Sequence, residues 1–316
     1  MSVKEKGPPK LSSIEKFALS SVATAVSTAV LSLTPLAPIE RIKLLLQCQG
    51  EMLKQGTITR PYNGAIDCIM QTFRNEGLLS FWRGNLTNCL RHISSQPLNF
   101  VLKDKIKPMF KQNINDPYMV NFSKNIASGS LAGALSLCFL YSLDYARTRL
   151  ATDVKSIKEG VGERKYNGLV DVYKKTLATD GIAGLYRGFV VSCVGIIIYR
   201  GCYFGLYDTL KPILLGPDAG FTLSFLLGYG VTITSGLISY PVDTIRRRMM
   251  MTSGQAVKYK GSMDCMFQIL RSEGVMAFYK GAGITILRGT AGAVVLTGFD
   301  KWVQLGSIKV DTSGSG

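Results

Sequence analysis

Three stretches of the chain carry no charged residue: 23 residues between Lys16 and Glu40, 19 between Lys124 and Asp144, and 24 between Asp218 and Asp243. Each matches the ~20 residues that a helix needs to cross a bilayer. Between and after them lie weaker apolar stretches, each broken near its middle by an arginine: Arg91 before SSQPLNFVL, Arg200 inside GIIIYRGCYFGLY and Arg288 before GTAGAVVLTGF. These read as three further spans. An arginine facing lipid at mid-membrane costs several kcal/mol, so each is expected to face the bundle interior or a water-filled cavity; snorkelling to a headgroup is the alternative. The pattern predicts an all-α membrane protein with six transmembrane helices and a polar centre.

The same stretches repeat. EGLLSFWRG at 76–84, DGIAGLYRG at 180–188 and EGVMAFYKG at 273–281 share an acid, a glycine, an aromatic, a base and a glycine at fixed places. Fourteen residues before each acid stands a tyrosine followed two positions on by glycine: Tyr62 and Gly64, Tyr166 and Gly168, Tyr259 and Gly261. Further upstream come PIERIK at 38–43, SLDYAR at 142–147 and PVDTIR at 241–246. Three registered copies of span, acid-and-base turn, short amphipathic segment and second span predict threefold pseudo-symmetry. The expected units are a polar tail 1–13, repeats 14–112, 113–214 and 215–305, and a tail 306–316.

Each motif has a physical reading. Pro38 and Pro241 lack an amide donor and kink a long helix; Ser142 holds the equivalent place and bends a helix more weakly. The acid and the base three residues later (Glu40 with Lys43, Asp144 with Arg147, Asp243 with Arg246) share a helical face. They are either ordinary helix-end pairs or, in threefold array, pairs between repeats that close one end of a cavity. The amides near Gly84, Gly188 and Gly281 begin the next helices and either hold an anionic lipid headgroup, with Arg83, Arg187 and Lys280 adding charge, or form plain turns.

Composition narrows the function. The chain has 37 Lys plus Arg against 21 Asp plus Glu, a net charge of +16, yet 47% of it is apolar. That apolar content excludes disorder and disfavours a nucleic-acid binder. Seven cysteines without a Cys-x-x-Cys pair and the single histidine, His92, offer neither a zinc cluster nor a disulfide framework. The cysteines read as buried apolar residues and His92 as a packing residue. MSVKEKGPPK is neither a secretory signal nor a transit peptide in appearance. No nucleophile stands with a base or metal cluster, so an enzyme is not expected.

The PIERIK, SLDYAR and PVDTIR elements, with the three acid-Gly-aromatic-base-Gly elements, resemble the mitochondrial carrier family from about Ile14 to Gln304. Within it, RRRMMM at 246–251 is similar to the signature of the ADP/ATP carrier subfamily, and PIERIKLLLQ, LNFVLKDKIK, LDYARTRLA and GIIIYRGCYFGLYDTLK resemble its helices. The resemblance implies the mitochondrial carrier fold, with short matrix-side amphipathic helices, in the mitochondrial inner membrane. It implies exchange of ADP for ATP by alternating access at a single central site, as a monomer with bound cardiolipin and no metal or other cofactor. Substrate contacts carry over to Arg91, Gly195, Ile196, Tyr199, Arg246, Arg247 and Arg288. Guanidinium groups suit phosphates, and Tyr199 with Gly195 and Ile196 offers an adenine slot. The implied matrix gate pairs Glu40 with Arg147, Asp144 with Arg246, and Asp243 with Lys43 braced by Gln47. The implied cytoplasmic gate pairs Asp104 with Lys211 and Asp300 with Lys107, and leaves Asp208 facing Val303. Arg91, Arg247 and Arg288 remain as an unpaired set expected to point into the cavity.

Three departures stand out. Leu33 occupies the place of a phosphate-facing lysine, Ser142 that of the second motif proline, and Val303 that of a gate base. They raise a second reading, a carrier-fold protein with impaired exchange that serves as a structural subunit of a respiratory assembly. Transport of a different anionic solute is disfavoured because RRRMMM and the Gly195, Ile196, Tyr199 set are intact.

Overall fold

The computed structural model describes residues 26–27, 30, 33–110, 117–155, 164–214, 221–255 and 259–291, whose regular structure is helical with no strand among them. The long helices are α1 (Thr34–Lys54), α3 (Asn85–Ile106), α4 (Tyr118–Ala151), α6 (Phe189–Leu214) and α7 (Phe221–Met251). The short ones are α2 (Ala65–Glu76), α5 (Leu169–Leu185) and α8 (Ser262–Glu273), and α9 covers 282–291. Among the described residues, α4, α6 and α7 are long and apolar enough to span a membrane. Most of the first predicted span and the end of the sixth lie outside the described residues. Three apolar clusters, one around each short helix, form the core at one end of the bundle: one centres on Leu45, Met52 and Cys68, the next on Tyr141, Tyr145 and Val172, the last on Ile245, Cys265 and Ile269.

The short helices start and stop in the same way. A glycine precedes each, and the acid three residues later reaches back to the amide before that glycine: Asp67 accepts from the Asn63 amide (2.9 Å), Asp171 from Asn167 (3.0 Å) and Asp264 from Lys260 (2.9 Å). This is the logic of a capping box with glycine as the cap. The hydrogen bonds hold these exposed carboxyls below the usual carboxylate range, led by the Gln71 side chain for Asp67, by Lys175 for Asp171 and by the Lys260 amide for Asp264. At the other end the backbone turns left-handed at Gly77 (φ 82°), Gly181 (φ 63°) and Gly274 (φ 79°), a conformation glycine adopts without penalty. Gly181 therefore breaks α5 inside its nominal bounds.

The acid of each acid-Gly pair ties the short helix to a long one. Glu76 takes both its oxygens to Arg41 Nη2 at 3.0 Å, and Glu273 accepts from Arg248. Asp180 accepts from the Gly254 amide at 2.9 Å. Burial opposes ionisation of Glu273, yet the hydrogen bonds and charge of Arg248 prevail and hold its carboxyl at about 2.

The glycine that closes each nine-residue motif has a packing reason. Gly84, Gly188 and Gly281 all have φ between 83° and 89°. A Cβ on Gly84 would meet the Arg147 carbonyl oxygen at 3.2 Å, on Gly188 the Arg246 oxygen at 3.2 Å, and on Gly281 the Lys43 oxygen at 3.1 Å. Each repeat's turn thus rests on the backbone of the basic motif residue in the next repeat, and the three contacts run in a cycle. Gly188→Ala is expected to cost about 1–3 kcal/mol, read as a lower thermal midpoint, because strain at positive φ adds to crowding. Gly168→Ala serves as the comparison, since that glycine is extended and nothing lies within 4 Å of its Cβ direction.

The bases expected at lipid headgroups are engaged elsewhere. Arg83 donates to Asp153 and to the Tyr166 carbonyl, each at 2.5 Å, and Arg187 donates to the Tyr259 carbonyl at 2.7 Å. Lys280 pairs with Glu273 at 3.1 Å. Two of the three reach into the next repeat because a planar guanidinium there meets loop carbonyls that need donors.

Candidate functional site

The motif segments of α1, α4 and α7 converge at the end of the bundle that carries the short helices. Their acids and bases pair between repeats: Arg147 with Glu40, Arg246 with Asp144, and Lys43 with Asp243 at 3.4 Å. Gln47 donates to Asp243 at 3.1 Å and to Thr244 at 3.0 Å. The pairing is cyclic, each acid bonding the base of a different copy. Periodicity places an acid and its own base on one helical face, and the close helix ends decide which base each acid meets.

On the far side of this ring lies a cavity of about 800 Å³. Its wall includes Arg91 from α3, Gly195, Ile196 and Tyr199 from α6, and Arg246 from α7. Lys43, Asp144 and Asp243 contribute at the ring end. Tyr199 opens a run of stacked tyrosines along α6, with ring centroids 6.2 Å to Tyr203 and then 6.1 Å to Tyr207. One wall is therefore aromatic and the ring end is ionic, an arrangement that sorts the two halves of an amphipathic solute.

Two residues expected to contact substrate do not line the cavity. Arg247 is buried in the ring, where Nη1 donates to Thr148 at 2.6 Å and lies 3.5 Å from Asp144, while Nε lies 3.4 Å from Asp243. Arg288 Nη1 donates to Glu40 at 2.8 Å. Arg91 lines the cavity, but its Nε is 3.9 Å from Asp144. The expectation of an unpaired trio is thus corrected: all three have carboxylate neighbours, because the ring acids sit deep enough to draw in every guanidinium within reach. Leu33 is half-buried just before α1.

The cavity wall also holds residues not singled out as contacts, among them Ser95, Asn99, Arg200 and Ser239. Arg200 was legible as a charged break in a span. Its use of the cavity rests on Gly129 across the helix pair, where an added Cβ would sit 2.9 Å from Arg200 Nη1. Of the expected opposite gate, Asp300, Val303 and the side chains of Asp104 and Lys107 lie outside the described residues. Asp208 and Lys211 are exposed on α6, with Lys211 Nζ 5.7 Å from the Tyr207 ring centre. Among the described residues no cluster of His, Cys, Asp and Glu is arranged for a metal.

Comparison with known proteins gives consistent results. The family described as mitochondrial carrier protein matches residues 10–114, 118–218 and 217–306. The ADP,ATP carrier protein of Chlamydomonas reinhardtii is 57% identical over 289 residues, covering 91% of this chain and 94% of that one. That of Kluyveromyces lactis is 57% identical over 287 residues, covering 90% and 93%. The mitochondrial ADP,ATP carrier protein 2 of Arabidopsis thaliana is 58% identical over 288 residues, covering 90% and 74%.

Proposed function

We propose, since this chain belongs to the mitochondrial carrier protein family, that it exchanges ADP for ATP across the mitochondrial inner membrane. The observation that carries this reading is one cavity with guanidinium groups at its closed end and a tyrosine wall beside it. The names of relatives 57–58% identical over nine-tenths of the chain support the same substrate pair. Arg91 and Arg246 serve the phosphates through paired hydrogen bonds, and Gly195, Ile196 and Tyr199 form the adenine slot. The ring of Glu40, Arg147, Asp144, Arg246, Asp243, Lys43 and Gln47 acts as the matrix gate, drawn closed. Arg247 and Arg288 act within that ring and not on substrate. Asp104, Lys107, Asp208, Lys211 and Asp300 form the opposing gate.

Exchange follows from differential contact: a nucleotide shifts the balance between two states only by its difference in affinity for them, and speeds their interconversion by binding the transition between them better than either. Anionic lipid, cardiolipin included, fits the helix starts after Gly84, Gly188 and Gly281, where the first amides of a helix have no intrahelical acceptor. Nothing in the cavity favours a purely structural role.

The test is uptake of labelled ADP by liposomes that carry the purified protein and internal ATP. Uptake well above protein-free liposomes, and dependent on internal nucleotide, is expected. Leu33→Lys restores a cation where the subfamily pattern has one and is expected to tighten the apparent affinity for ADP about tenfold. Background uptake by both proteins would overturn the reading.

A further inference from the structure

Beyond the ion-pair ring, on the short-helix side, lies a second cavity of about 320 Å³. It is bounded by the chain just after α1, the C-terminal ends of α4 and α7, and the segment leading into α5. We propose that this space is a phosphate-binding vestibule in which Arg149, Arg164 and Lys165 receive the phosphate groups of a nucleotide approaching from the matrix. Naming the ligand a nucleotide rests on the exchange reading above; the anion site itself does not.

The argument starts from a charge imbalance. Around this space the carboxylates among the described residues are already occupied. Asp153 accepts from Arg83 at 2.5 Å and from the amides of Lys165 and Tyr166 at 3.1 and 3.2 Å. Glu76 is shared by Arg41 and by Arg164, whose Nη2 lies 2.9 Å away. Arg149 and Lys165 have no carboxylate within ion-pair distance among the described residues. Arg149 is 3% exposed, and among the described residues its guanidinium donates to neutral oxygens, the Met251 carbonyl at 2.6 Å and the Tyr166 hydroxyl. Its Nε is buried without a hydrogen-bond partner among the described residues. A buried guanidinium with neutral partners and an unused donor is costly unless an anion completes it.

Lys165 is exposed at the same cavity. Desolvation and the nearby Arg149 guanidinium hold its ammonium below the usual lysine range, and burial with Arg83 nearby does the same to Arg164. An incoming dianion relieves this crowding of like charge. The geometry also explains why repeat two carries the site. Repeat one has Leu45 where Arg149 stands and Pro61 where Lys165 stands; repeat three has Arg248 in the first place, but two acids, Glu51 and Glu273, neutralise it.

The test is residue-resolved protection of lysines from acetic anhydride, read by mass spectrometry on the full-length protein in detergent. Saturating inorganic pyrophosphate is expected to slow acylation of Lys165 at least fivefold while Lys174, exposed on α5, is unaffected. Arg164→Gln, at a half-buried side chain, is expected to raise the half-protecting concentration about tenfold. Arg91→Gln, on the far side of the ion-pair ring from this space, is expected to leave it within about twofold. Two further arms identify the source: ADP protecting at lower concentration than orthophosphate assigns a nucleotide tail, and equal protection assigns free phosphate, either of which supports the site. Absence of pyrophosphate protection, equal protection by adenosine, or loss of protection in Arg91→Gln would overturn it. Failed ADP uptake in liposomes with intact Lys165 protection would instead remove the exchange reading and leave the site standing.

Discussion

Asp144→Asn is expected to lower the thermal midpoint by about 10 °C and to reduce ADP uptake at least tenfold. Asp144 is 3% exposed and accepts from Arg246, lies 3.5 Å from Arg247 and lies 3.9 Å from Arg91. The substitution keeps size and shape, so packing is unchanged and only charge is lost. Three guanidiniums then share a buried site without their central counter-ion, and an amide nitrogen replaces one acceptor with a donor. Removing one partner of a buried ion pair costs about 3–5 kcal/mol, and in a chain of this size each kcal/mol moves the midpoint by roughly 2–4 °C. Asp67→Asn is the contrast, because that carboxyl caps an exposed helix start and touches no guanidinium of the ring. A midpoint for Asp144→Asn equal to that of the unaltered protein would show that the ring contributes nothing to the closed end.

The ring illustrates which parts of the molecule the residues disclose by themselves. Spacing alone puts an acid and a base on one face of α1, α4 and α7. The threefold register allows these faces to meet, the family resemblance implies which base each acid takes, and Glu40 pairs with Arg147, Asp144 with Arg246 and Asp243 with Lys43. The short helices were legible for the same reason. Their Tyr-x-Gly starts and acid-Gly stops recur at fixed offsets, and the acid three residues after the first glycine recurs too, at Asp67, Asp171 and Asp264.

What remained hidden depends on depth and on reach. The family resemblance implies that Arg247 and Arg288 are cavity cations. A guanidinium at the end of a long side chain nevertheless settles on the nearest buried carboxylate, and that choice is set by distances of 2.8 to 3.5 Å that periodicity cannot supply. Arg83 and Arg187 have the same freedom and use it to tie one repeat to the next. Gly84, Gly188 and Gly281 read as either a lipid site or a turn; the crowding of each by a neighbouring carbonyl makes the glycine necessary whichever ligand the helix start holds.

Arg246→Lys is expected to reduce the maximal exchange rate about a hundredfold while changing the KM for ADP only a few-fold. Arg246, like Lys43, both lines the central cavity and bonds a ring acid, but it does so with a guanidinium, which lies 5.3 Å from the Tyr141 ring centre. One Nη serves Asp144, and the fork has further donors that face other directions. A phosphate group that takes those donors competes with Asp144 for the same delocalised charge, which loosens the ring as substrate arrives. Moving a two-state balance from 1:99 to 99:1 requires about 5.5 kcal/mol, and two or three charge-assisted hydrogen bonds at ~1.5–3 kcal/mol each supply that amount. An ammonium keeps the charge but cannot hold a carboxylate and a phosphate in one rigid plane. Binding survives in Arg246→Lys because Arg91 still meets the phosphates, while the coupling of binding to opening is lost. Arg91→Lys is expected to do the opposite, raising KM with little effect on the maximal rate, since Arg91 approaches the ring only at 3.9 Å. If Arg246→Lys instead raises KM and preserves the rate, Arg246 is a binding residue alone and some other contact opens the ring.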